Sequence, residues 1–75
     1  MVGAHATMRW EESVGRKVRM LRKAKGLSQE ALAHDAGMAM RYLAGIERGE
    51  ENPTLAILVR IASALAIEPK TLFEP

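Results

Sequence analysis

The sequence contains no cysteine. Disulfide staples and thiolate metal sites are therefore excluded, and a reducing cytoplasm is the expected setting. No apolar run approaches the roughly 20 residues of a membrane-spanning helix. The opening MVGAHATMR has neither the early basic cluster nor the long apolar centre of a signal peptide. No membrane partner is expected. A glycine-rich phosphate loop, a pair of carboxylates in an apolar setting and a set of metal ligands are also missing; His5 has no second ligand beside it. Ser28, His34 and Asp35 could suggest a hydrolytic triad, but they point in different directions on one short helix. A triad needs nucleophile, base and orienting group within hydrogen-bond reach. The sequence thus predicts no enzyme, no cofactor, no metal and no small-molecule ligand. Without repeats, linkers or low-complexity tracts, 75 residues allow one domain near the lower size limit for folding unaided.

What the chain does have is basic charge gathered at one end. The formal net charge of +2 is modest, but Arg9, Arg16, Lys17, Arg19, Arg22, Lys23 and Lys25 crowd the first third. A local patch of this kind matters more for polyanion binding than the total. Residues 1–9 carry no periodicity and read as a flexible N-terminal arm, leaving 10–75 as the folded domain. From Trp10 the pattern turns helical, with Trp10, Val14, Val18 and Leu21 on one stripe, Glu11 and Glu12 at the positive helix end, and Gly26 as the stop. Arg16, Arg19 and Lys23 point away from that stripe. They form either a solvated face or a set of phosphate contacts, where counterion release rewards cations. Arg22 differs, lying at the edge of the stripe.

The stretch Leu27 to Gly49 reads as two short helices joined at Gly37. Ser28 can cap the first, and Gln29 and Glu30 occupy its first turn. Leu32, Ala33 and Ala36 face inward, and Gly37 supplies the left-handed conformation of a tight turn. In the next helix, 100° per residue puts Ala39, Leu43 and Ile46 on one side and Met40, Arg41, Ala44, Gly45 and Arg48 on the other. Thr54 can cap a fourth helix from Leu55 to about Ala66. Pro69 suits the start of a last single-turn helix whose Leu72 and Phe73 would close the core. The expected class is therefore all-α, with five helices. The fourth is apolar nearly all round. Leu55, Leu58, Val59, Ala62 and Leu65 form its expected core stripe, and Ile57, Ile61 and Ala64 recur on a second side. Joined by Phe73, that second side is the expected interface of a homodimer.

The segments GLSQEALA, Gly37, IERG and NPTL stand in the order and spacing of the Cro and cI repressor type of helix-turn-helix, also called XRE-like. The chain resembles this family over roughly residues 13 to 73. The resemblance implies a compact lambda-repressor-like domain: a transcriptional regulator that binds double-stranded DNA as a dimer on a palindromic operator. It also implies that Gln29 and Arg48 hold phosphates, that Arg22 and Glu47 form a half-buried bidentate pair, and that Met40, Arg41 and Gly45 occupy base-reading positions. Of these three only Arg41 can make a bidentate contact with guanine. Met40 and Ala44 offer apolar contact to a thymine methyl, and Tyr42 either contacts the DNA backbone or packs at the helix edge. Two departures weaken the reading helix: Ala39 stands where Ser or Thr usually caps it, and Gly45 interrupts it, each costing about 1 kcal/mol. The competing reading is a protein-interaction module, an antitoxin or bridging factor, that uses the apolar surface of Met40, Ala44 and Gly45.

Overall fold

A computed structural model describes residues 8–75. Four α-helices follow one another: α1 (Trp10–Ala24), α2 (Gln29–Ala36), α3 (Met40–Glu47) and α4 (Leu55–Ala64). The expected fifth helix is instead a short 3-10 helix, Pro69–Phe73, so the count of five α-helices is corrected to four. No strand occurs among the described residues. Of the arm proposed over residues 1–9, residues 1–7, with His5, lie outside the described residues. Arg9 is already the N-cap of α1, its backbone N–H donating to Glu12 Oε1 at 3.3 Å.

The helix ends follow the local chemistry. Ser28 Oγ accepts from the Ala31 N–H at 3.0 Å and Thr54 Oγ1 from the Ile57 N–H at 3.2 Å, each satisfying one donor that the first helical turn leaves free. Gly37, at φ 70°, ends α2. There Arg60 reaches across from α4: its Nε donates to the Ala36 carbonyl at 3.0 Å, and its guanidinium also donates to that of Gly37. A cation on these carbonyls offsets the negative end of the helix dipole. Ala39 caps nothing, so α3 starts without a side-chain acceptor.

The core is built from Val14 and Val18 of α1, Leu32, Ala33 and Ala36 of α2, Leu43 and Ile46 of α3, Leu58, Ile61 and Ala62 of α4, and Leu65 and Leu72 beyond it. Gly15 lets α1 cross α3 closely, because a Cβ there would overlap the carbonyl oxygen of Ile46. Three expectations for packing are corrected. Ala39 is exposed rather than inward, Phe73 is half exposed, and α4 presents a different face to the core. Its buried stripe is Leu58, Ile61, Ala62 and Leu65. Leu55 and Val59, expected inside, are 65% and 43% exposed. Both flanks of this helix are apolar, so periodicity alone could not decide which one turns inward.

Candidate nucleic-acid interface

The outward face of α3 is set by a charged network beneath it. Arg22 donates through Nε to Glu47 Oε2 at 2.7 Å and through a terminal nitrogen to Glu47 Oε1 at 3.0 Å. Its other terminal nitrogen donates to the Leu27 carbonyl at 2.8 Å. Gln29 Nε2 donates to Glu47 Oε1 at 2.9 Å. Arg22 and Glu47 are both buried, and their parallel hydrogen bonds have the fork geometry that makes such pairs strong. Hydrogen bonding to Glu47 raises the Arg22 pKa above its ordinary value, against the smaller opposing effect of burial. Arg22 and Glu47 thus tie together the end of α1, the loop after it, the start of α2 and the end of α3.

With Leu43, Ile46 and Glu47 buried, Arg41 and Arg48 face away from the core. Arg41 is exposed, and Met40, at the leading edge, is 50% exposed. Arg48 is also exposed, and its Nε lies 3.0 Å from Glu50 Oε1. A solvated pair of this kind is weak enough to yield to a better anion. Tyr42 is half-buried and packs against the core, at the helix edge. Ala44 is partly buried. Gly45 departs from expectation. Its position on the helix turns outward, yet it is buried, because the side chain of Glu51 from the following loop lies over it.

The α1 cations separate. Arg19 shares a cleft with Arg22, Ser28, Gln29, Glu30 and Met40, beside the start of both helices of the motif. Arg16 lines a different depression with Met8, Ser13, Lys17, Met20, Glu74 and Pro75, away from α3. Lys23 is exposed. Gln29 does not stand free for a phosphate, since it donates to Glu47; its amide carries a second hydrogen for an outside acceptor. At the expected dimer surface, Ile61 is fully buried in the monomer core, and Ile57 and Ala64 pack partly against it. Ile61 therefore cannot line an interface. The exposed apolar residues nearby are Trp10, Leu55 and Phe73, which share a shallow depression, and Val59, one turn beyond Leu55. The Trp10 and Phe73 rings lie 6.4 Å apart, tilted by 35°. Of this flank only Phe73 was expected at an interface; Glu51 and Arg60 went unmarked in the sequence, because each acts on residues of another element that no local pattern places beside it.

A family model described as helix-turn-helix matches residues 18–72. The chain belongs to this family. Within it, this helix-turn-helix protein is of the Cro and cI repressor type. It is similar to the restriction-modification controller protein C.AhdI of Aeromonas hydrophila, at 46% identity and a TM-score of 0.83 over 84% of this chain and 96% of that one. It is 41% identical over 56 residues to the immunity repressor of Bacillus phage phi105, covering 75% of this chain but only 39% of that repressor. A crystal structure of the biofilm master regulator SinR in complex with DNA aligns at a TM-score of 0.77 and 35% identity, over 81% of this chain and 98% of that one. Among the described residues of this helix-turn-helix protein no helix is long and apolar enough to cross a membrane.

Proposed function

We propose that this chain is a transcriptional regulator that binds duplex DNA sequence-specifically, as a homodimer on a palindromic operator. The observation that carries the reading is the outward face of α3, where Arg41 and Arg48 stand exposed on a helix braced from behind by Arg22, Glu47 and Gln29. Rigid placement of a few side chains is what base readout demands. Arg41 contacts guanine, Arg48 and Arg19 hold phosphates, and Met40 and Ala44 supply apolar contact to a thymine methyl. Exposed cations at both ends of this face favour a polyanion over the apolar protein partner of an antitoxin or bridging factor. The SinR complex with DNA supports the same reading by similarity.

The dimer rests on the flank formed by Trp10, Leu55, Val59 and Phe73. Four large apolar side chains exposed together are better accounted for by a second copy than by water. A two-fold contact also sets two α3 helices to enter successive major grooves, about 34 Å apart. Selection of binding sites from pooled random duplexes tests the whole. Enrichment of a palindrome with half-sites about one helical turn apart is expected. No enrichment at low salt would leave the protein-interaction reading in its place.

A further inference from the structure

We infer that Glu51 is a specificity-determining residue for base readout, its carboxylate taking the place of the side chain that α3 lacks at Gly45; this rests on the DNA-binding reading above. At 100° per residue, Gly45 stands about 40° around the helix from Arg41 and about 60° from Arg48. It is therefore part of the outward face, about 160° around from the buried Leu43. A glycine there ought to expose backbone, yet Gly45 is buried. Its cover is Glu51: a Cβ built on Gly45 would lie 2.9 Å from both Cγ and Oε2 of that side chain. The absence of a side chain at 45 is what makes room for Glu51 on the surface of the reading helix. The neighbouring Glu50 is taken by Arg48, while Glu51 enters no ion pair among the described residues. A carboxylate is left on the reading face, flanked by the positions of two arginines.

An ionised carboxylate only accepts hydrogen bonds. In the major groove the donors are the exocyclic amines, and cytosine N4 is the usual partner of a glutamate. Gly45 lies one turn beyond Arg41, about 6 Å along the helix axis. Glu51 thus selects cytosine within about two base pairs of the guanine read by Arg41, and disfavours thymine, whose O4 is an acceptor.

Site selection from random duplexes with the parent, Glu51→Ala and Glu51→Gln tests the assignment. The parent is expected to favour cytosine about tenfold at one position in each half-site, the size of a single base contact. Glu51→Ala brings that position to within about twofold of indifference, and leaves the Arg41 guanine unchanged. Glu51→Gln keeps the cover on Gly45 and moves the preference towards adenine, which Gln reads through N6 and N7. An identical base preference in all three proteins would overturn the role of Glu51 while leaving DNA binding intact. If the parent enriches no duplex at all, the DNA-binding reading itself fails, and the role of Glu51 with it.

Discussion

At the scale of single residues, Glu47 holds the motif together. It accepts from Arg22 twice and from Gln29 once, in a buried setting. Arg22→Ala leaves that carboxylate desolvated without its cation, and is expected to cost about 3 kcal/mol. Arg19→Ala, at an exposed site, is expected to stay within about 0.5 kcal/mol. Denaturant unfolding of the two variants side by side checks this, and equal midpoints would mean that the pair carries no such weight. Ala66 offers a gain. It follows α4 at φ 58°, where glycine relieves the clash of Cβ with the backbone. Ala66→Gly is expected to stabilise by about 0.5 to 1 kcal/mol once the larger chain entropy of glycine is subtracted. A lowered melting temperature would contradict that.

At the scale of elements, α3 is well supported from behind and poorly started. Ala39 offers no acceptor to its free amides, so Ala39→Ser is expected to add about 1 kcal/mol. On the proposed reading, the two arginines of this face have different tasks. Arg41→Ala is expected to cost about 1 to 3 kcal/mol per half-site and flatten preference at one base position, while Arg48→Ala weakens binding to every sequence alike. Equal, sequence-independent losses would reduce Arg41 to another phosphate contact. Much of this was legible in the sequence, because the signals are local: Ser28, Thr54 and Gly37 mark helix ends by their own chemistry, and Arg22 betrays itself by standing at the edge of an apolar stripe. The inward face of α4 was not legible. Leu55 and Val59 on one flank and Ile57 and Ala64 on the other are equally apolar, and the choice depends on how α2 and the 3-10 helix pack against it. Nothing local singles out Arg60, since its bonds to Ala36 and Gly37 span more than twenty residues of sequence. Glu51 over Gly45 depends in the same way on the course of a loop.

At the scale of the whole molecule, the outward face of α3, the apolar flank and the basic α1 lie on one small fold. Val59→Glu puts a charge into the flank of Trp10, Leu55 and Phe73 without touching the buried stripe of α4. It is expected to give a folded monomer that binds DNA far more weakly; sedimentation showing that variant as dimeric as the parent would remove this flank from the interface. The proposed partner is duplex DNA, held largely through its phosphates. The salt dependence of affinity for a selected duplex tests that most directly. A dimer neutralising about six phosphates is expected to give a slope of log K against log salt near −5, at roughly −0.9 per contact. A slope shallower than about −2 would contradict it.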